Sequence, residues 1–139
     1  MTATAAREGS VILLVNSQGK IAWQLRDNRP DVSYANHWGL FGGWREMDES
    51  PEQTIIREIN EELAFSLDLS KLQYIRRHCD GDIVSHVFLY PITDEMDAAQ
   101  LLEGQRLEFV APGDLMHRRV VPRHRAIVEW HVRQKTPSA

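Results

Sequence analysis

The 139-residue sequence predicts an α/β fold in which a mixed β-sheet packs against two helices. Short runs of β-branched and aromatic residues come before, between and after two stretches with helical periodicity. The apolar share of 42% is sufficient for the core of a domain of ordinary size. We therefore predict one domain over residues 1–139, with flexible ends at residues 1–8 and 135–139.

The strands are predicted from apolar runs and from the turns between them. Residues 10–16 form a continuous apolar run, SVILLVN, which is typical of a strand buried on both faces. The Asp80-Gly81 pair favours a tight turn and predicts a β-hairpin around it. The predicted strands cover residues 10–16, 20–26, 38–44, 72–79, 83–92 and 106–110.

The first helix is predicted over residues 50–64. Ser50 can cap its start, Pro51 suits the first helical position, and Gln53 completes a capping box with Ser50. Apolar residues recur every four positions and predict the buried stripe of the helix: Ile55, Ile59 and Leu63.

The rest of the chain supplies one more helix and two long connections. Residues 121–134 predict a closing helix with Ile127 and Trp130 facing inward, after a turn or single helical turn at 111–116. Residues 27–37 are rich in Asp, Asn and Pro and predict a loop long enough to suggest a functional role. Residues 94–105 predict an acidic connection.

Composition excludes several classes of function. The net charge of −4 gives no electrostatic surface for binding a nucleic-acid polymer. Cys79 is the only cysteine, so an intrachain disulfide is impossible. No apolar run approaches the roughly 20 residues of a membrane span, and the N-terminus lacks the apolar segment of a signal peptide. We therefore expect a soluble, cytoplasmic protein without a membrane partner.

Three glutamates of the first predicted helix raise the question of function. Glu58, Glu61 and Glu62 are related by helical spacing and converge on one side of the helix. In water such like-charged pairs cost a few tenths of a kcal/mol each, roughly, and a divalent cation reverses that sign. A solvated helix face is the alternative interpretation. The surroundings favour the cation, because Arg57 and Glu49 lie close by and glycines at 42 and 43 let a ligand approach the backbone.

These residues together resemble the Nudix box, G-x5-E-x7-R-E-U-x-E-E-x-G-U, where U is apolar. The matching residues are Gly43, Glu49, Arg57, Glu58, Ile59, Glu61, Glu62 and Phe65. Ala64 departs from the pattern, since the family has glycine there; it removes no ligand, so we expect activity to survive. The resemblance extends over nearly the whole chain and implies a Nudix-type α/β/α sandwich.

The resemblance implies a Nudix pyrophosphohydrolase, which cleaves a nucleoside diphosphate linked to another group X with Mg²⁺ or Mn²⁺. It implies that Glu61 and Glu62 are the main metal ligands, that the Gly42 carbonyl is a further candidate, and that Glu58 is a ligand or the general base. Arg57 would orient the glutamates and Glu49 would support them. Glu103 is the candidate ligand or base from the late acidic loop. Its rivals there and nearby are Asp94, Glu95, Asp97 and Glu108.

Substrate contacts are predicted from position alone. Arg26 ends a strand that leads into the 27–37 loop, and we expect it to meet phosphate; Arg29, Arg76 and Arg77 are weaker candidates. We predict further contacts from the loop and its end: Tyr34, His37 and Trp38. Trp23 and Trp44, like Trp38, could stack on a base, although core packing is the ordinary role of any single tryptophan.

Several functions stay open within this resemblance. The substrate is a nucleoside triphosphate, oxidised or not, or else a nucleotide sugar or ADP-ribose-type diphosphate; the short chain favours the triphosphate. A non-catalytic nucleotide-sensing module would have lost box carboxylates, and all of them are present. An isoprenoid diphosphate isomerase would need a cysteine in its pocket, and we expect Cys79 to lie elsewhere. Monomer and homodimer both stay open.

Overall fold

The computed structural model describes residues 7–94 and 99–135. The predicted α/β fold is confirmed: within these residues, one mixed sheet of seven strands is flanked by two α-helices. The strands are β1 (Arg7–Val15), β2 (Ile21–Leu25), β3 (Trp38–Gly39), β4 (Phe41–Trp44), β5 (Gln73–Asp80), β6 (Ile83–Pro91) and β7 (Arg106–Val110). The helices are α1 (Pro51–Leu63) and α2 (Pro122–Lys135), with a 3₁₀ turn at Pro112–His117.

Strand β1 lies at the centre of the sheet. It runs parallel to β6, with pairs from Arg7↔Ile83 to Val15↔Pro91, and antiparallel to both β2 and β4. Strand β2 in turn pairs with β3 and β7, and β5 closes the other edge through its hairpin with β6. Because β1 is covered on both faces, its middle residues are all buried, as the apolar run predicts.

The two faces of the sheet carry separate cores. Alternation along β1 places Ile12 and Leu14 on the face covered by α1 and Val11 and Leu13 on the face covered by α2. The stripe of α1 joins the first core, since Ile55, Ile59 and Leu63 are all fully buried. In α2, Ile127 is fully buried, while Trp130 is half-buried with the Arg76 guanidinium 4.5 Å from its ring centre. This is the predicted α/β/α sandwich.

Helix α1 begins and ends as its sequence predicts. Ser50 Oγ accepts from Gln53 N at 3.1 Å and Gln53 Oε1 accepts from Ser50 N at 2.8 Å, which completes the capping box. The helix ends one residue earlier than predicted, because Ala64 takes the left-handed conformation at φ 52° and ψ 44°. Alanine therefore occupies the helix-ending conformation in which glycine carries no strain.

Other boundaries differ from the predictions for identifiable reasons. Arg7 and Glu8 belong to β1, because they pair with Ile83 and Val84, so the predicted flexible N-terminal stretch does not hold for them. Residues 1–6 and 136–139 lie outside the described residues. The predicted strand at 38–44 is interrupted at Leu40, whose N–H donates to His124 Nδ1 at 3.0 Å. Neither α1 nor α2, among the parts described, is long and apolar enough to span a bilayer.

Candidate active site

A cleft of about 680 Å³ extends from α1 and the late loop to the start of α2. The strands contribute the glycines and Trp44 of β4 and a few residues each of β1, β2 and β6. Its wall contains the residues Gly9, Ser10, Val11, Gln24, Arg26, Asp27, Arg29, Val32, Ser33, Leu40, Gly42, Gly43, Trp44, Glu46, Glu58, Glu62, Ser85, Leu102, Glu103, Gly104, Arg123 and His124.

Glu62 is the buried carboxylate of this cleft, with 3% of its surface exposed. Its two oxygens accept hydrogen bonds from Gly42 N and from Gln24 Nε2, each at 2.9 Å. Burial raises the pKa of Glu62 to about 8, and the neighbouring charges of Glu58 and Glu103 act in the same direction. A carboxylate in this position is costly to ionise unless a cation joins it.

Glu58 lies against the backbone of Gly43. A Cβ atom at Gly43 would collide with the Glu58 carboxylate, so a larger residue there would displace this carboxylate from its observed position. Burial raises the pKa of Glu58 as well, in opposition to its ion pair with Arg57. The glycine predicted to let a ligand approach the backbone thus admits a carboxylate of the site itself.

Arg57 holds three glutamates of the motif in place. Its Nε and Nη2 form a fork on the Glu49 carboxylate at 2.7 and 3.0 Å, and Nη2 also donates to Trp44 O at 2.9 Å. Its Nη1 lies 2.8 Å from Glu58 and 3.2 Å from Glu61. These bonds lower the pKa of Glu49 to about 2, with Arg57 as the main cause. Glu49 thus contacts the other glutamates of the motif through Arg57.

The late loop is fastened to both sides of the site. Leu102 N donates to Glu62 O at 2.8 Å, and Gln105 N donates to Leu25 O at 2.7 Å. Between these anchors, Glu103 reaches the wall of the cleft close enough to raise the pKa of both Glu58 and Glu62. The rival Glu108 is paired with Arg118 at 2.8 Å, away from the cleft wall. Asp94 is exposed and also lies away from the wall, and the rivals Glu95 and Asp97 lie outside the described residues.

The acidic end of the cleft offers hard oxygen donors. Across residues 7–94 and 99–135, no three His, Cys, Asp or Glu side chains converge tightly enough to enclose a metal ion by themselves. Arg57 explains this, because it holds Glu58 and draws the half-exposed Glu61 toward itself. A Mg²⁺ site needs only one or two protein carboxylates, since the ion keeps several waters. The carboxylates of Glu62 and Glu58, whose pKa values are raised by burial, therefore fit a divalent cation.

The predicted substrate residues divide into two groups. Arg26 lies in the cleft wall, where Nε donates to Ser33 O at 2.8 Å, and Arg29 lies there too. Tyr34, His37 and Trp38 contribute nothing to this wall. The backbone of Trp38 is bound to the segment before α2. Trp38 N donates to Arg119 O at 2.8 Å, and Val121 N donates to Trp38 O at 2.9 Å. The substrate roles of these three side chains stay predictions.

The remaining candidates also have definite places. Trp23 is fully buried in the core, whereas Trp44 lines the cleft. Arg77 donates to Cys79 Sγ at 3.1 Å, and the exposed Cys79 is absent from the cleft wall. Sequence reasoning missed Arg123 and His124, which enter the wall from the first turn of α2. The only local signal at this position was the helix start after Pro122. The residue that contacts His124, Leu40, lies 84 positions away in the chain.

Pyrophosphohydrolases that carry a Nudix box are the class defined by this fold and site. The chain has the α/β/α sandwich, the glutamates on α1 and a cleft beside them. The family model for the NUDIX domain matches residues 5–131. The chain belongs to that family, and the prediction of a Nudix pyrophosphohydrolase is confirmed.

Known proteins resemble the chain over most of its length. The CTP pyrophosphohydrolase of Escherichia coli (strain K12) is 28% identical over 115 residues, which covers 81% of this chain and 82% of that protein. A MutT structure from work on Aliivibrio salmonicida and Vibrio cholerae has a TM-score of 0.74 at 23% identity and covers 92% of this chain and 98% of that one. The NUDIX domain of Shewanella oneidensis NrtR, complexed with ADP ribose, has a TM-score of 0.74 at 19% identity and covers 96% and 91%. Both structures share its fold.

Proposed function

We propose that this chain hydrolyses a phosphoanhydride bond of a nucleoside triphosphate, with Mg²⁺ or Mn²⁺ bound at the acidic end of the cleft. The observation that carries the proposal is the grouping of Glu58, Glu62 and Glu103 in one wall, where the buried Glu62 and the partly buried Glu58 both have raised pKa values. Such a group is unfavourable without a cation, and a nucleotide phosphate is the usual companion of such a cation.

The residues that would hold the ion are Glu58, Glu61 and Glu62, with the Gly42 carbonyl as a further candidate. When bound, a divalent ion neutralises phosphate oxygens and makes a water more acidic. Arg57 contacts Glu61 through Nη1 alone, which donates to the two carboxylate oxygens at 3.2 and 3.4 Å. The Glu61 side chain is 49% exposed. Of the three glutamates it is the one with the most freedom to turn toward an ion.

The chain's own groups account for positioning and proton transfer. Glu58 and Glu103 are the two candidates for the base that accepts a proton from the attacking water, because both lie in the wall beside Glu62. Arg57 positions Glu58 and Glu61 through its Nη1 while its fork stays on Glu49. Arg26 donates to Ser33 O through Nε and to Ser33 Oγ through Nη2, the second bond being a long one of 3.3 Å. Its remaining N–H groups are available to a phosphate.

The triphosphate is preferred to a nucleotide sugar or ADP-ribose on the strength of one relative. The CTP pyrophosphohydrolase aligns over four fifths of both chains, 81% and 82%. The likeness to the ADP-ribose-bound domain, at 19% identity, concerns the fold. ADP-ribose and nucleotide sugars are therefore the alternative substrates.

The test is a panel of nucleoside triphosphates, oxidised triphosphates, nucleotide sugars and ADP-ribose, assayed with Mg²⁺ and with Mn²⁺ for phosphate or pyrophosphate release. We expect Glu61→Gln to lower kcat about 100-fold or more on the best substrate. Glu52→Gln is the matched control, since Glu52 is an exposed acid of the same helix. Full turnover by Glu61→Gln would contradict the proposed metal site, and exclusive cleavage of ADP-ribose would contradict the triphosphate.

A further inference from the structure

Gln105 lies where the late loop meets both β2 and the 27–37 loop. Its backbone N–H donates to Leu25 O at 2.7 Å. Its side-chain Nε2 donates to Arg26 O at 2.8 Å and to Asn36 Oδ1 at 3.1 Å. A backbone carbonyl can only accept a hydrogen bond, so the nitrogen of the Gln105 amide must face Arg26. The backbone and the side chain of Gln105 thus bind the late loop to its two neighbours.

The two acceptors of this side chain lie at opposite ends of the 27–37 loop. Arg26 immediately precedes the loop, and Asn36 is its last residue but one. The backbone closes the base of the loop with two hydrogen bonds. Arg26 N donates to His37 O at 2.9 Å, and Asn36 N donates to Asp27 O at 3.3 Å. A side chain that bonds to both ends therefore bridges the closed base of the loop.

The bridged loop contributes Arg26 and Ser33 to the cleft wall. Arg26 Nε donates to Ser33 O at 2.8 Å, which holds the guanidinium on the cleft side of the loop. Arg26 thus points its side chain at the cleft while its carbonyl accepts from Gln105. Because Arg26 is the residue proposed to meet a phosphate, the bond from Gln105 ties the late loop to a phosphate-binding group.

Gly104 packs closely on β2, one residue after Glu103. Its φ is +88°, a conformation that favours glycine. A Cβ atom at Gly104 would lie 2.7 Å from Gln24 Oε1 and 3.0 Å from Leu25 O. Gln24 in turn donates to Glu62 Oε2 at 2.9 Å. The late loop therefore contacts the side chain that holds Glu62 immediately after it presents Glu103 to the cleft.

The backbone determines where the Glu103 carboxylate lies. Within the part of the chain that the structure describes, this carboxylate makes no hydrogen bond and no ion pair. Before it, Leu102 N donates to Glu62 O at 2.8 Å. After it, the first hydrogen bonds are those of Gln105. A change at Gln105 therefore acts directly on the position of Glu103 in the cleft wall.

We propose that Gln105 is a positioning residue that holds the Glu103 carboxylate at a fixed place relative to the Arg26 guanidinium. The inference rests on the proposed function, in which Arg26 meets a phosphate while Glu103 accepts a proton from the attacking water or binds the ion. Both groups act on one substrate, and displacing a reacting group by about 1 Å can cost about 100-fold in rate. Without the bridge, the two loops keep their own backbone hydrogen bonds but lose their fixed separation.

Gln105→Leu removes the bridge and spares the fold. Leucine is of similar size, and the backbone N–H of residue 105 can still donate to Leu25 O. Gln105→Glu is a second variant with a polar side chain, because a carboxylate cannot donate to Arg26 O. Gln100→Leu and Gln100→Glu are the matched controls, since Gln100 is an exposed glutamine of the same loop. Urea unfolding confirms that the variants are folded.

The kinetic readout is kcat and KM on the best substrate of the panel. We expect both Gln105 variants to lower kcat about 10-fold and to change KM less than about 2-fold, while the Gln100 variants match the original chain. In a Glu103→Gln background, Gln105→Leu should lower kcat less than about 2-fold, because the group that it positions is already gone. Equal reductions of kcat in the two backgrounds would overturn the inference.

Amide hydrogen exchange in EDTA separates this inference from the proposed function, because it requires neither turnover nor a metal. We expect the Leu102 and Asn36 amide hydrogens to exchange about 10-fold faster in Gln105→Leu than in the original chain, and at the original rate in Gln100→Leu. That result supports the bridge even if no substrate in the panel is cleaved. Exchange unchanged at both amides would overturn the inference, even if triphosphates are hydrolysed.

Discussion

Replacing Glu62 by Gln should stabilise the metal-free protein by an amount that grows with pH. The pKa of Glu62 is about 8 in the folded chain, against an ordinary value of 4.5. Because the folded pKa lies above the ordinary one, its ionisation costs nothing below pH 4.5 and destabilises the folded chain increasingly as the pH rises toward 8. A neutral amide has no such cost.

The magnitude follows from the two pKa values. Each pH unit between them is worth about 1.4 kcal/mol, so the advantage of Gln over Glu should be about 1 kcal/mol at pH 5, 3 at pH 7 and 5 at pH 9. The hydrogen bonds of residue 62 survive the change: the new amide oxygen takes the Gly42 N–H, and the Gln24 amide turns over to accept from the new amide nitrogen.

The assay is urea unfolding in EDTA at these three pH values, followed by tryptophan fluorescence, with Glu52→Gln as the control. We expect the difference in unfolding free energy between Glu62→Gln and the original chain to rise with pH, while Glu52→Gln shows no such rise. Mg²⁺ should stabilise the original chain and leave Glu62→Gln nearly unaffected. A difference that is constant from pH 5 to pH 9 would refute the reasoning that burial of this charge is costly.

Further predictions concern the residues around it. Arg57→Met should lower kcat by about 10-fold or more. It should also raise the pKa of Glu49 toward its ordinary value, because the bond to Arg57 is the main cause that lowers this pKa. Carboxyl NMR titration measures the pKa, and a Glu49 pKa still near 2 in the variant would contradict the prediction. Ala64→Gly should stabilise the protein by about 1 kcal/mol in urea unfolding with kcat unchanged, because glycine removes the left-handed strain; destabilisation would mean that the helix continues through this position. Glu103→Gln should lower kcat and shift the acidic limb of its pH profile downward, while Asp94→Asn leaves both unchanged; equal effects would remove Glu103 from the site.

Local features of the fold were predictable because their determinants are close together in sequence. The capping box of Ser50 and Gln53 spans four positions, and the Asp80-Gly81 pair lies at its own turn. The turn residues proved to be Gly81 and Asp82, with Asp80 still paired to Ile83. The parallel pairing of β1 with β6 joins residues more than seventy positions apart, as in Arg7↔Ile83, and no local pattern announces it.

The same distinction applies to the site. The acidic end was predictable, since Arg57, Glu58, Glu61 and Glu62 share one helix whose periodicity fixes their relative positions. The part of the wall formed by the start of α2 was not predictable, because the hydrogen bond that joins His124 to Leu40 spans 84 residues. The course of the 27–37 loop was not predictable from the sequence either. It depends on the hydrogen bonds of Trp38 with residues 119 and 121, which are distant in the chain.

We infer that the glutamates of α1 are grouped to hold a divalent ion against a nucleotide phosphate. Crystals soaked with Mn²⁺ and a slowly hydrolysed triphosphate analogue, measured at the manganese absorption edge, test it most directly. We expect an anomalous peak within coordination distance of the Glu61 and Glu62 carboxylates, with Glu61 turned away from Arg57. Manganese bound elsewhere, while Glu61 stays on Arg57 and Glu62 stays on Gln24 and Gly42, would contradict it.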